Sequence, residues 1–154
     1  MIYIIIGQSG AGKTTYVKER WLKEPFEAKE DIVSYVVSGN VALIGKYGIG
    51  IRTEGTDTLS YNSAGKILSQ IKRLYPSYDI VIEGDRINSE RVFKSLSKLD
   101  CKLYLVTTSL KNSMERLRAG GSSITPSFVK ATKTKSANRF LKYADTMNGE
   151  IIKT

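Results

Sequence analysis

The chain has 154 residues, 25% of them charged and 41% hydrophobic, with 24 Lys+Arg against 15 Asp+Glu for a net charge of +9. That length fits one domain with a core of its own, so residues 1–154 are expected to form a single domain. No apolar run approaches the roughly 18 residues of a membrane span, Met1 leads directly into a strand pattern without a leader, and the lone Cys101 cannot make an internal disulfide. These features predict a cytoplasmic protein with no membrane association. The sequence contains no histidine, so any acid–base step falls to a carboxylate. The positive excess is larger than a nucleotide's phosphates need. It predicts a longer polyanion such as nucleic acid, against the plainer reading of a solvated basic surface.

In chain order, Ile2, Tyr3, Ile4, Ile5 and Ile6 form the unbroken β-favouring run of a buried parallel strand. From Lys13 the spacing turns helical, with Val17 and Trp21 on one face and Pro25 as the stop. Two extended segments follow, Ile32–Val37 and Val41–Gly45, joined by "SGN" as in a hairpin, and four glycines loosen 45–55. Ser63 is expected to cap a helix carrying Ala64, Ile67, Leu68, Ile71 and Leu74, with Pro76 just beyond it. "DIVIEGD" (79–85) predicts a second buried strand, and Asn88 or Ser89 the start of a helix with Val92, Phe93, Leu96 and Leu99. "KLYLVTT" (102–108) predicts a third strand. Ser109 then caps a helix with Leu110, Met114 and Leu117 inward, stopped by Gly120 and Gly121. Pro126 opens a stretch whose periodicity lapses over 132–135, as in a loop, before Ala137, Phe140, Leu141 and Ala144 resume helical spacing. "GEIIKT" reads as a short final strand. Alternating strands and helices predict an α/β fold of three layers, a mainly parallel sheet with helices on both faces and a β-hairpin inserted after the first helix. In such sheets the chemistry sits at the carboxyl ends of the strands, where "GQSGAGKTT", "EGD" and "TTS" all fall.

Gly7 to Thr14 fits G-x-x-x-x-G-K-[ST] between a strand and a helix, the context that makes this motif specific for a phosphate-binding loop. Backbone N–H groups can surround a phosphate chain only where side chains stay clear, hence Gly7, Gly10 and Gly12 with small Ser9 and Ala11. Gln8 and Thr15 complete the candidate nucleotide-binding stretch. The helix N-terminus adds donors and a positive dipole end. Lys13 is expected to reach the β and γ phosphates of ATP, and Thr14 to offer its hydroxyl to Mg²⁺. A carboxylate at the end of a neighbouring strand should complete the metal side. Glu83 and Asp85 are the candidates, and strand alternation predicts that they share one face. Spacing alone leaves open which serves the metal and which the substrate.

"SLKNSMERLRAGGSS" reads as a helix and small-residue lid whose arginines, Arg116 and Arg118, can neutralise charge on a transferred phosphoryl group. Two helical positions are about 200° apart, so only one of them is expected to meet phosphate. In "GTDTLS", Asp57 is the first candidate for the acceptor side and for the base; the plainer reading is a turn aspartate capping its own backbone. Arg86 suits an anionic substrate. Lys130, Lys133, Lys135, Arg139 and Lys142 occur without an acid among them, and Lys133 and Lys135 can serve ATP phosphates, a DNA backbone or solvent alone. Tyr47 and Tyr61 are candidates for stacking on a base.

Taken together, "GQSGAGKTT", "GTDTLS", "IEGDRI", "ERLRAGGSS" and "TKTKSANRF" resemble the small P-loop kinases of bacteriophages, more specifically those that phosphorylate 5-hydroxymethyluracil within DNA during thymidine hypermodification. The resemblance spans most of the chain, and its specific part is the first motif. It implies the P-loop NTPase/kinase fold, ATP·Mg²⁺ as donor, a base hydroxyl in DNA as acceptor and, for a phage protein, the host cytoplasm. Residue by residue it implies phosphate and metal roles for Lys13 and Thr14. Asp57 and Asp85 would face the acceptor, with Glu83 and Arg86 alongside. Glu83 joins Thr14 as the metal candidate, and Arg116 joins Lys13 as a catalytic cation. No obligate protein partner is implied. The hairpin in place of a helix between the first two strands departs from ordinary nucleotide kinases. Two other readings remain: a kinase for a nucleoside, nucleotide or metabolite hydroxyl, and a nucleotide-dependent binding module without an acceptor.

Overall fold

The computed structural model describes residues 1–48 and 54–154. Part of the glycine-rich stretch expected to loosen 45–55 lies outside the described residues. One seven-stranded sheet organises the chain, in the order β2-β3-β4-β5-β1-β6-β7. Its strands are β1 (Ile2–Ile6), β2 (Glu27–Glu30), β3 (Ser34–Ser38), β4 (Val41–Ile44), β5 (Asp79–Glu83), β6 (Cys101–Thr107) and β7 (Glu150–Lys153). The strands β4, β5, β1, β6 and β7 run parallel, while β3 pairs antiparallel with both β2 and β4. The isoleucine run of β1 is central, with Ile4 beside Ile82 on one side and Leu103 on the other.

Alternation along these strands divides the core into two layers. Ile2, Ile4, Ile80, Ile82, Leu103 and Leu105 face the helices α2 (Ala64–Leu74), α3 (Glu90–Leu96) and α5 (Pro126–Tyr143), meeting Ile67, Ile71, Phe93 and Phe140. Ile5, Val81, Tyr104 and Val106 face α1 (Lys13–Trp21), meeting Val17 and Trp21. This is the expected three-layer arrangement. A further helix, α4 (Leu110–Ala119), packs against α5. Among the described residues no helix is long and apolar enough to cross a membrane. The buried Cys101 is a free thiol that donates to the carbonyl of Leu96 at 3.0 Å.

Four expectations need amendment. The hairpin is a three-stranded meander, because β2 precedes it. The sequence EAKE of β2 is polar and largely exposed at the sheet edge, so it shows no apolar period to read. Ser63 stands at the start of α2 but does not cap it: its backbone is helical and its hydroxyl donates to the carbonyl of Ser60. Residues 132–135 are not a loop. Helix α5 is continuous, and its inward positions there are Thr132 and Ser136, small polar residues buried by hydrogen bonds rather than by apolar packing. In α4 the most deeply buried position is Ser113, while Leu110, Met114 and Leu117 are half-buried. By contrast, Ser89, Ser109 and Thr125 each accept an N-cap hydrogen bond from the backbone two or three residues into the helix that follows.

The chain after β4 is brought back to the sheet by a bridge between Lys46 and Gly55, closed by the Gly55 N–H donating to the Lys46 carbonyl at 3.0 Å. Gly45 lies at φ +112°, and a Cβ there would stand 1.9 Å from the Gly55 carbonyl oxygen. Gly45→Ala therefore combines a left-handed backbone with a direct clash. We expect a loss of about 2–5 kcal/mol in chemical denaturation, with the site carried by residues 54–57 disturbed first.

Candidate active site

The carboxyl ends of β1 and β5 open onto a cavity of about 840 Å³, within the size range of nucleotide and ligand sites. It is lined by the loop from Ser9 to Thr15, by Glu83, Asp57 and Glu54, and by Arg116 with Ser122–Ile124. The loop has the expected backbone form. Gly7, Gly10 and Gly12 have φ of 155°, 75° and 94°. A side chain at Gly7 would run into the Val106 carbonyl, and one at Gly10 into the Ser113 carbonyl. Gly12 takes the left-handed N-cap position of α1, so the helix's first N–H groups open toward the cavity. Gln8 is buried and ties the loop to β6 by donating to the Thr108 carbonyl at 2.7 Å. The Ser9 N–H donates to Thr132 of α5 at 3.2 Å.

Lys13 folds its ammonium back over the loop, donating to the carbonyls of Gly7 and Gln8 at 3.0 Å each. Burial lowers its pKa, while the nearby carboxylates of Asp57, Glu83 and Asp85 work the other way. Thr14 donates its hydroxyl to Glu83 Oε2 at 3.1 Å. The other carboxylate oxygen, Oε1, accepts from the buried Tyr47 hydroxyl at 2.8 Å. Thr56 donates to the Glu83 main-chain carbonyl. Glu83 is 1% exposed, and desolvation raises its pKa to about 7, against the opposing hydrogen bond from Tyr47 and the charge of Lys13.

A hydroxyl and a carboxylate converging at 3.1 Å are hard oxygen donors of the kind Mg²⁺ takes. Among the described residues no three acidic or cysteine side chains cluster as a metal cage. A cation held by two protein groups and completed by water and phosphate oxygens fits this arrangement, so Thr14 and Glu83 suit the expected metal role.

Asp57 lies on a short 3₁₀ turn, Thr56–Thr58, and its Oδ1 accepts from the N–H groups of Asp85 at 2.8 Å and Arg86 at 3.2 Å. Gly84 permits that approach: at φ +118°, a Cβ would stand 2.7 Å from Asp57 Oδ1. The same glycine ends the strand alternation after Glu83, so Glu83 and Asp85 do not share an environment. Glu83 is buried in the cavity wall, whereas Asp85 is half-exposed and paired with Lys135 at 3.0 Å. Arg86 donates to the Leu59 carbonyl at 3.1 Å and stands 3.9 Å from Asp57.

The two arginines expected in a lid separate as helical geometry requires. Arg116 lines the cavity and donates to the carbonyls of Gly10 at 3.3 Å and Ala11 at 3.1 Å. Arg118 does not line it and instead donates to the carbonyls of Ser122 and Ile124 in the loop after α4. The basic stretch is largely engaged within the chain. Lys133 donates to the Thr108 carbonyl at 3.2 Å, Lys135 pairs with Asp85, and both Arg139 and Lys142 pair with Glu90. Hydrogen bonds from Lys142 and Tyr143 hold the Glu90 carboxyl at about 2.

Thr56 and Glu54 were not legible as site residues, and neither was the part Tyr47 plays beside Glu83. Tyr47, a candidate for exposed stacking, is 4% exposed and serves Glu83 instead. Glu54 accepts from Lys18 at 3.1 Å and from the Gly48 N–H at 3.0 Å. Only the glycines around these residues hinted that the chain must turn tightly there.

No protein-family model and no curated protein matches this sequence. Among solved structures, the chain resembles deoxyadenosine kinase from M. mycoides with bound dCTP, at a TM-score of 0.52 and 14% identity over 99% of this chain and 90% of that one. The likeness establishes the fold alone, a mostly parallel α/β arrangement shared with that structure.

Two predictions follow from the Glu83 geometry. Because folding raises this carboxyl from 4.5 to about 7, the ligand-free protein has the associated stabilisation in full below pH 4.5 and loses it as pH rises through 7. The urea midpoint should fall between pH 5 and 8 by the equivalent of ~2.5 kcal/mol, and Glu83→Gln should flatten that slope. Glu90, held at about 2, titrates below this window. Tyr47→Phe removes the donor to Oε1 with little change in volume. We expect it to weaken Mg²⁺-dependent nucleotide binding by ~10-fold or more while metal-free nucleotide binding holds, both read by calorimetry.

Proposed function

We propose that this chain is an ATP- and Mg²⁺-dependent phosphotransferase that moves the γ-phosphoryl group onto a hydroxyl, the hydroxymethyl group of 5-hydroxymethyluracil in DNA. The observation that carries the reading is the convergence of Lys13, Thr14, Glu83 and Asp57 on one cavity beside a phosphate-binding loop. Mg²⁺, when bound, would supply positive charge that offsets the charge of the phosphate groups. Thr14 and Glu83 would hold it. The loop N–H groups of Gly10 and of residues 12–15 and the Lys13 ammonium, swung off its own carbonyls, would take the phosphate oxygens, since the Ser9 and Ala11 N–H groups are held by Thr132 and the Gln8 carbonyl.

Asp57 is the group proposed to receive the acceptor's proton. Its two backbone hydrogen bonds both fall on Oδ1, so Oδ2 is the atom available to a substrate hydroxyl. As the acceptor oxygen bonds to the γ-phosphorus, the bond from that phosphorus to the β–γ bridging oxygen breaks. ADP leaves, and the hydroxyl proton passes to Asp57. Arg116, which also lines the cavity, would offset charge on the phosphoryl group. Asp85 is assigned a supporting role, since it pairs with Lys135 and does not line the cavity.

The net charge of +9 and the motif resemblance favour a polynucleotide acceptor. A target base within a duplex would first have to leave the stack. A second reading, a nucleoside or nucleotide as acceptor, draws on the fold shared with a deoxyadenosine kinase.

The deciding experiment offers labelled ATP and a panel of acceptors: hydroxymethyluracil DNA, the free nucleoside and nucleotide, and unmodified DNA. Transfer to the modified DNA that weakens steeply with salt supports the proposal, and transfer only to monomers replaces it with the second reading. Nucleotide binding with no transfer to any acceptor would indicate a binding module. Asp57→Asn should lower transfer by ~10²–10⁴-fold while ATP binding changes little. Asp85→Asn should cost less than ~10-fold, and Lys13→Ala should impair both transfer and ATP binding.

A further inference from the structure

Tyr61 is 84% exposed, the most exposed of the large hydrophobic side chains described. It lies between the 3₁₀ turn that carries Asp57 and the start of α2. Its ring is nevertheless not without support. The Arg86 guanidinium lies over it, with its central carbon 3.8 Å from the ring centroid. Arg86 is itself fixed: its side chain is only 17% exposed, it donates to the Leu59 carbonyl at 3.1 Å, and its guanidinium stands 3.9 Å from Asp57. One face of the tyrosine therefore rests on an anchored cation, and an exposure this high requires that much of the rest of the ring meets solvent. Arg86 also links this ring to the cavity, because Asp57 lines it.

We propose that Tyr61, backed by Arg86, is a stacking platform for a heteroaromatic base of the acceptor strand. This rests on the proposal that the acceptor is a polynucleotide, and it adds the group that receives a base beside the phosphoryl-transfer cavity. The occupant follows from the chemistry. A flat ring with a solvent-facing π surface offers no directional donors or acceptors beyond its hydroxyl, so it favours another flat ring, and every nucleobase has a π face. The cation beneath the ring draws the neighbouring phosphates of a strand toward the same edge. Tyr47, the other tyrosine considered from the sequence, cannot take this part because it is buried against Glu83.

The test measures binding separately from catalysis. A fluorescently labelled single-stranded oligonucleotide containing one 5-hydroxymethyluracil is titrated with the full chain without ATP, and ATP binding is measured in parallel. Tyr61→Ala should weaken oligonucleotide binding by roughly 5- to 100-fold, the range that stacking on one aromatic ring contributes. Tyr61→Phe and Tyr61→Trp should retain it within about threefold, and the introduced tryptophan should be quenched by the oligonucleotide. ATP affinity should be unchanged throughout. Equal binding by wild type and Tyr61→Ala overturns the proposal, as does a Phe variant as weak as the Ala variant, which would assign the effect to the hydroxyl. Loss of ATP binding in Tyr61→Ala also overturns it, since the ring would then act through the donor site or the fold. A wild-type chain that binds no oligonucleotide but phosphorylates a free nucleoside removes this platform and leaves phosphotransfer standing. Tyr61-dependent oligonucleotide binding without transfer to any acceptor removes the kinase reading and leaves the platform.

Discussion

The buried carboxyl of Glu83 is the interaction on which the site depends. It joins three parts of the chain that are far apart in sequence: Thr14 at the start of α1, Tyr47 after β4, and the end of β5 where Glu83 itself lies. Its main-chain carbonyl holds Thr56, one residue from Asp57. Gly55 permits the contact, since a Cβ there would stand 2.7 Å from the Glu83 side chain. Burying a carboxyl is unfavourable unless donors surround it, and here two hydroxyls do so. The candidate phosphate loop, metal candidate and acceptor candidate are thus held by one acidic group whose desolvation the fold tolerates.

The positive charge of this chain illustrates that composition and surface are different quantities. The cations of α5 look like an unopposed basic run, yet much of that run is occupied by Asp85, Glu90 and the Thr108 carbonyl. These contacts fasten α5 across the carboxyl ends of β5 and β6, and Thr132 on the same helix receives the Ser9 N–H of the phosphate loop. The helix works first as a brace for the site. Arg116 behaves similarly: it sits in the cavity wall while its guanidinium holds carbonyls of the loop.

Most of the fold was legible because its signals are local. Largely apolar, β-favouring runs mark the buried parallel strands β1, β5 and β6, capping serines mark α3 and α4, and Gly120 with Gly121 marks the end of α4. What was missed lacks an apolar period. Strand β2 is polar because it lies at an edge, and α5 buries Thr132 and Ser136 through hydrogen bonds, which a hydrophobic pattern does not register. The alternation that linked Glu83 to Asp85 failed because Gly84, at positive φ, turns the chain between them.

The sequence by itself determined the turn from β1 into α1, since three glycines, a lysine and two threonines between a strand and a helix meet the pattern of a candidate phosphate-binding loop within nine consecutive residues. It determined the parallel core for a similar reason, as strand burial is written in each strand's own composition. Only the tertiary structure decided which carboxylate is buried against Thr14, which tyrosine is buried and which rests on Arg86, and which arginine enters the cavity. Those outcomes depend on contacts between residues tens of positions apart. A local pattern restricts what a segment can be, but it does not fix which distant segment its side chains will meet.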